Sequence, residues 1–286
     1  MVEGVWRDIP RDFKSTGGAF VRPDTAFRET VSLADAEPGR YRLYVSRACP
    51  WAHRTLIMRA FTRLEKVVPV FNADPYMAEN GWEFRDGGIR YLHELYAKAK
   101  PDYTGRVSVP ALWDEKTQRI VNNESSEIIR MMGSDLYPQK LRKEIDAVNA
   151  RVYQTVNNGV YRAGFSTAQD KYEAAVTELF ASLDWLEKRL AKRRWLCGAK
   201  LTEADVRLFT TLVRFDAVYY SHFKCNLRRL VDYPRLWRYT RRFYALPGVA
   251  RTVDLAEIKS HYYRSQKQVN PTQIVPKGPV LDLRLR

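Results

Sequence analysis

The feature that most restricts what this chain can fold into is a change of hydrophobic period near Leu141. Before it, apolar residues fall in short β-rich runs; after it, β-rich runs vanish and helical spacing takes over. Tyr172, Val176, Leu179, Leu183, Leu186 and Leu190 step by four and three, the stripe of a helix that buries one face. A chain of 286 residues with 45% hydrophobic content can supply two cores. The sequence therefore predicts an α/β layer followed by an all-α domain. Asp135 to Gln139 is the natural linker, and no internal repeat or low-complexity tract interrupts either half.

Within the first half, Tyr41 to Ser46 reads as a strand running directly into Arg47, Ala48, Cys49 and Pro50, then a helical segment carrying Leu56, Ile57, Ala60 and Phe61. Val67 to Phe71 is a second expected strand and Val107 to Trp113 a third. Gln118 to Val121 is a fourth, after a turn at Asp114 to Thr117, and Glu124 to Met132 is a closing helix. A strand–helix–strand unit, a strand pair and a closing helix fit a thioredoxin-like layer. Expected boundaries are an irregular arm over 1–40, the thioredoxin-like domain over 41–134, the helical domain over 140–255 and a C-terminal tail over 256–286 that packs near the active site. In the helical half, Leu201 to Val206 has the form of a helix start. Thr202 and Asp205 can cap each other's amides while Leu201 staples to Val206.

Charge and cysteine content narrow the classes. A net charge of +15 suits nucleic acid, an acidic membrane surface or a small anionic ligand. The basic clusters at Lys188-Arg189, Lys192 to Arg194, Arg228-Arg229 and Arg235 to Arg242 read as solvated helix faces. No zinc-finger spacing, basic region with heptads or RNP-like strand accompanies them, so no nucleic-acid partner is expected. No apolar run reaches the length of a membrane span, and the start, with Arg7, Asp8, Arg11, Asp12 and Lys14, lacks the apolar stretch of a signal peptide. A cytoplasmic protein without a membrane partner is the expectation. Cys49, Cys197 and Cys225 are too scattered for a disulfide framework and form no metal-binding pair, so reduced thiols and no metal are expected.

Cys49 is the candidate nucleophile. Pro50 suits the first turn of a helix because its missing amide costs nothing there. A thiol just before it faces unpaired amides and the positive end of the helix dipole, which stabilise a thiolate. Without that context a lone cysteine at a strand end reads as a small buried apolar residue. Ala52 stands where a resolving cysteine would complete a CxxC pair, so a mixed disulfide at Cys49 needs a second thiol from solution. His53, four residues on, is either a general base or a residue that simply faces outward or packs beneath the turn. Cys197 and Cys225 read as structural.

Two further turns carry chemistry. Val109-Pro110 lies inside a strand-like run, where proline removes a ladder donor; it is either an ordinary edge-strand proline or a cis turn that presents the Val109 amide to an extended peptide ligand. Glu124 and Ser125 open a helix, where a hydroxyl and free amides favour an anion, or serve as capping residues alone.

Cys49-Pro-Trp-Ala-His-Arg-Thr55 resembles the motif of the glutathionyl-hydroquinone reductases, the Xi-class, omega-like branch of the glutathione transferases. Trp6 and Lys14 to Gly18 in the arm, Glu79 to Trp82, Arg106 to Pro110, Asn123 to Glu127, Asn157 to Phe165, Phe215 to Tyr219, His261-Tyr262 and Asn270-Pro271 are similar to the same family, across nearly the whole chain. The resemblance implies a thioredoxin-like domain joined to an all-helical transferase domain, glutathione as co-substrate and a homodimer. It implies Cys49 as nucleophile and Tyr161 as proton donor or acceptor near the quinol, with Tyr219 and Tyr262 lowering the thiol pKa. It also implies glutathione contacts from Trp82, Arg106, Val107, Ser108, Val109, Glu124 and Ser125. The implied reaction is glutathione-dependent reduction of a glutathionyl-hydroquinone; an omega-like thiol-transferase or dehydroascorbate reductase is the alternative. The segment Glu83 to Gly88 is shorter than in several relatives, which implies an altered rim of the glutathione pocket.

Overall fold

In the computed structural model, which describes residues 1–9 and 15–285, the β-rich runs of the first half assemble into a mixed four-stranded sheet. Arg11, Asp12 and Lys14 of the polar start, and Arg286, lie outside the described residues. Strand β1 (Tyr41–Val45) leads to helix α1 (Pro50–Phe61) and strand β2 (Val70–Asn72), then helix α2 (Leu92–Ala99), strands β3 (Ala111–Asp114) and β4 (Arg119–Asn122), and helix α3 (Ser125–Met131). The sheet order is β2-β1-β3-β4. β1 pairs parallel to β2 and antiparallel to β3, and β3 is antiparallel to β4. A strand–helix–strand crossover with a hairpin is the thioredoxin-like layer that the first half predicts.

The element edges differ from the sequence reading for local reasons. β2 starts at Val70 because the amides of Val67 and Val68 are both taken by the carbonyl of Leu64, closing a short 3-10 turn. β3 starts at Ala111, not Val107, because the Val109–Pro110 peptide is cis and the Ser108 backbone pairs with the Tyr96 hydroxyl instead of a strand. Helix α2 has no counterpart in the sequence reading. It is eight residues long with one buried turn of Leu92, Leu95 and Tyr96, and its start is held by the Glu94 carboxylate on the amides of Arg90 and Tyr91.

The outer edge of β4 is covered by the chain start. Arg28 bridges to Asn122, the Glu29 amide donates to Val121 O at 3.0 Å, and the Asn123 amide donates to Phe27 O at 3.1 Å. A sheet edge paired in this way offers no template to another strand.

The chain forms two compact units. The first gathers Met1–Pro10, Pro23–Ser134 and Arg251–His261; the second gathers Arg11–Arg22, Asp135–Ala250 and Tyr262–Arg286. The second unit is helical: α4 (Arg142–Val152), α5 (Gly159–Gly164), α6 (Gln169–Arg189), α7 (Glu203–Leu212) and α8 (Pro234–Tyr244). Helix α9 (Leu255–Ser265) contributes its residues up to His261 to the first unit and those from Tyr262 to the second. The predicted stripe is the inner face of α6, where Val176, Leu179, Leu183 and Leu186 are buried. Two π-helical turns, Tyr153–Asn157 and Phe215–Tyr219, interrupt the regular helices, a deviation common beside functional residues.

The start of α7 forms as its sequence predicts. The Asp205 carboxylate accepts the Thr202 amide at 2.8 Å and also the Leu196 amide at 2.8 Å and the Tyr239 hydroxyl at 2.9 Å. Burial pushes its pKa up to about 6, against those hydrogen bonds, which favour the ionised form. Among the described residues no helix is long and apolar enough to cross a membrane.

Candidate active site

Cys49 is the N-cap of α1, with extended backbone angles, and Pro50 occupies the first helical position. The Cys49 amide donates to Ser46 O at 3.0 Å and its carbonyl accepts the His53 amide at 2.9 Å, so the residue is locked at the strand–helix junction. Its side chain is half-buried, with Sγ 3.7 Å from Val109 O. The thiol thus donates towards the carbonyl of the cis turn. Arg47, three residues from the helix start, is paired with Glu257 at 3.3 Å, and Glu257 also accepts from Asn72 Nδ2. Burial raises the Glu257 pKa, partly offset by Arg47. Of the two positions open for His53, the structure takes the buried one: the ring is fully buried and its Nε2 meets Thr252 Oγ1 at 2.8 Å.

The residues expected to touch glutathione all lie in the first unit, and two contacts tie them to α1, Cys49 Sγ with Val109 O and Arg54 with Ser125. Ser108, Val109 and Pro110 form the cis turn, and among the described residues the Val109 amide meets no acceptor. Arg106 is exposed, and its carbonyl accepts the Tyr103 hydroxyl at 2.9 Å. Glu124 is the N-cap of α3, its carboxylate accepting the Ser126 amide at 2.9 Å. Ser125 is buried at the next position and accepts from Arg54 Nη1 at 3.3 Å. Arg54 in turn lies 4.5 Å over the Trp51 ring. Trp82 is buried and stacked on His261 with centroids 4.9 Å apart, and His261 Nδ1 meets Pro75 O at 3.0 Å. The carbonyl can only accept, so that nitrogen carries the proton.

The three expected tyrosines meet in the second unit. Tyr161 sits in α5, Tyr219 ends the second π turn and Tyr262 lies in α9, a spread of 101 residues that the fold closes to hydrogen-bond distance. The Tyr161 and Tyr262 hydroxyls are 2.5 Å apart and those of Tyr219 and Tyr262 are 3.0 Å apart. Phe223 is the hub of their packing, with ring centroids 5.4 to 5.6 Å from all three. Phe20 stacks on Tyr161, and Arg22 lies 4.8 Å over the same ring while Nε donates to Asn158 Oδ1. Burial holds the pKa values of Tyr219 and Tyr262 well above that of a free phenol, though the buried Arg214 acts in the opposite sense. Both phenols are therefore neutral at physiological pH and able to donate.

Residues 48–135 match the family model of the glutathione S-transferase N-terminal domain, and residues 169–242 that of the C-terminal domain. The chain is 52% identical to the glutathionyl-hydroquinone reductase PcpF of Sphingobium chlorophenolicum, over 99% of this chain and 97% of that one. It also superposes on the glutathione transferase Xi of Phanerochaete chrysosporium with a TM-score of 0.89, at 47% identity over 93% of this chain and 94% of that one. The chain belongs to the Xi class of the glutathione transferase family. A glutathione-bound structure of YqjG, a glutathione transferase homolog from Escherichia coli, matches with a TM-score of 0.90 at 45% identity, over 99% of this chain and 96% of that one.

Sequence reasoning missed several residues that support the site of this Xi-class transferase. Phe223 does so by packing, which no local pattern encodes, and His261 by stacking on Trp82, although His261 itself stands in the family-like pair His261-Tyr262. Tyr96 and Asn123 do so by hydrogen bonds that span 12 residues, from Tyr96 to Ser108, and 27 residues, from Asn123 to Tyr96. Asn123 stood inside a quoted motif, the one signal by which it was reachable. Among the described residues no group of three or more His, Cys, Asp or Glu side chains is placed to hold a metal.

Proposed function

We propose that the chain reduces glutathionyl-hydroquinones to hydroquinones with glutathione as the reductant. The observation that carries this reading is the hydroxyl chain Tyr161–Tyr262–Tyr219, at 2.5 and 3.0 Å. Exchange between disulfides needs only a thiolate and a leaving thiol. Cleaving a carbon–sulfur bond of a quinol also requires a proton for carbon, and phenols whose hydroxyls are joined in a relay are suited to supply it.

The Cys49 thiolate attacks the sulfur of the thioether; a sulfur–sulfur bond forms and the carbon–sulfur bond breaks. The electron pair of that bond goes to the ring carbon, which takes a proton from Tyr161, and hydroquinone leaves. Cys49 is then oxidised to a mixed disulfide with glutathione. A second glutathione thiolate attacks the glutathione sulfur, releasing glutathione disulfide and the Cys49 thiolate, as the alanine at position 52 requires. In this reading Trp82, Arg106, Val107, Ser108, Val109, Glu124 and Ser125 bind glutathione. The Val109 amide pairs with its extended backbone, and the start of α3 takes its γ-glutamyl end. Tyr219 and Tyr262 act as donors that lower the pKa of the Cys49 thiol. The enzyme is proposed to work as a homodimer in the cytoplasm, the compartment that keeps free cysteines reduced.

Incubation with a glutathionyl-quinol, followed by intact and peptide mass spectrometry, tests the reading. One glutathione adduct on Cys49 and release of the free quinol are expected. Turnover of dehydroascorbate or glutathionylated peptides without quinol release would overturn it in favour of an omega-like thiol-transferase.

A further inference from the structure

Tyr96 is fully buried in α2, outside the set of residues proposed to touch substrate, and its hydroxyl has no spare bonding capacity. It donates to Ser108 O at 2.8 Å and accepts from Ser108 N at 3.2 Å and from Asn123 Nδ2 at 2.9 Å. One donor and two lone pairs are thus all engaged. Asn123 is similarly committed. Its Oδ1 accepts the Phe27 amide at 3.1 Å while Nδ2 donates to Tyr96, which sets the orientation of the side-chain amide, and its backbone N–H donates to Phe27 O at 3.1 Å.

These bonds join two turns at the end of the β3–β4 ladder, whose last pair is Leu112 with Asn122 and which does not extend to Ser108. Ser108 opens the cis turn, and Asn123 immediately precedes Glu124 and Ser125. Both backbone groups of Ser108 are paired to one phenol rather than to a strand, so nothing in the ladder replaces them if that phenol is lost.

We infer that Tyr96, held by Asn123, is a positioning residue that keeps the two glutathione-gripping turns in register. This rests on the reading that residues 106–109 and 124–125 bind glutathione. The consequence is specific. Loosening the two turns weakens ground-state binding of glutathione and of the glutathionyl part of the substrate, while the reacting groups Cys49 and Tyr161 are untouched.

The test is steady-state kinetics and direct glutathione titration of Tyr96→Phe, with Tyr239→Phe as control. The control deletes an equally buried phenol bond, to Asp205 in the helical unit. Tyr96→Phe is expected to raise the KM and Kd for glutathione roughly three- to tenfold, the effect of unmaking one or two buried hydrogen bonds, with kcat within about twofold. Tyr239→Phe should lower the melting temperature and leave both constants unchanged. Unchanged glutathione constants in Tyr96→Phe, or an equal rise in the control, would overturn the positioning role. Should Tyr96→Phe not fold, Asn123→Asp decides: a carboxylate cannot donate to the phenol, draws its proton away from Ser108 O, and is expected to raise the same KM. An unchanged KM in that variant also overturns the role. Failure of the wild-type protein to bind glutathione would instead sink the reading beneath it.

Discussion

At Cys49 the chemistry follows from its place as the N-cap of α1. Pro50 has no amide to offer, and the positive end of the helix dipole lies beside the thiol and favours a thiolate. Cys49→Ala is expected to abolish quinol release and Cys49→Ser to retain only a trace, read by product chromatography; an active alanine variant would remove the nucleophile. Tyr161→Phe keeps the ring contacts with Phe20 and Phe223 and deletes only the hydroxyl. A fall in kcat of roughly 10²-fold, with little change in glutathione KM, is the signature of a lost proton donor. His222 marks a different kind of residue effect. It is buried beside Tyr262 and Tyr263, its Nε2 meets Gln266 Oε1 at 2.9 Å, and burial lowers its pKa to about 4, with Lys224 acting in the same direction. The unfolded chain takes up that proton at a higher pH than the folded one, near 6.5. The contribution of neutral His222 is therefore fully present above about 6.5 and lost as pH falls towards 4, up to about 3 kcal/mol. Asp205, raised to about 6, drives stability the other way over part of the same range. The clean readout is therefore the difference between wild type and His222→Gln in urea melts at pH 4.5 and 7, which should shrink at the lower pH.

Among the elements, α5 shows how a small residue sets the geometry of a tyrosine. A Cβ on Gly164 would run into the ring of Phe223, the ring against which Tyr161, Tyr219 and Tyr262 all pack. Gly164→Ala is expected to destabilise the protein by about 1–3 kcal/mol, as overpacking does, and to lower kcat although no reacting group is changed. Wild-type kcat in that variant would mean that the cluster repacks freely. The start of α7 separates a cap from a buried network. Thr202→Ala should cost about 1 kcal/mol, the usual worth of a cap. Asp205→Ala should cost about 3 kcal/mol or more, because the amides of Leu196 and Thr202 and the Tyr239 hydroxyl are left buried without an acceptor. Equal losses in denaturant titrations would argue against the network.

For the molecule as a whole, the net charge of +15 is less available than the count suggests. Arg228 pairs with Asp184, Arg229 with Asp232, Arg235 with Glu187, and both Arg189 and Arg193 with Glu144. Paired guanidinium groups make a poor phosphate track but still contribute to the long-range field. Duplex DNA is accordingly expected to show no steep, salt-dependent binding in an anisotropy titration, whereas kcat/KM for an anionic glutathionyl substrate should fall a few-fold between about 0.01 and 0.2 M salt. A response of kcat/KM that is flat in salt would exclude steering.

What the sequence determined by itself was local or periodic. The switch of hydrophobic period separates the α/β layer from the helices, Cys-Pro after a strand marks a helix start, and Thr202 with Asp205 announces α7. Each of these is encoded within a few residues, where sterics and the backbone's own donors decide the outcome. Helix α2 has no periodic signature because a single buried turn gives too short a period, and β3 is shorter than its β-rich run because Ser108 satisfies its backbone through a side chain. The hydroxyl contacts of Tyr161, Tyr219 and Tyr262, the hub at Phe223 and the bonds of Tyr96 were beyond reach for one reason. They depend on groups from different parts of the chain arriving as hydrogen-bond partners at 2.5 to 3.2 Å or as rings with centroids 5.4 to 5.6 Å apart, and only tertiary packing fixes such distances. Family resemblance pointed to the tyrosines; the fold decided that their hydroxyls share hydrogen bonds.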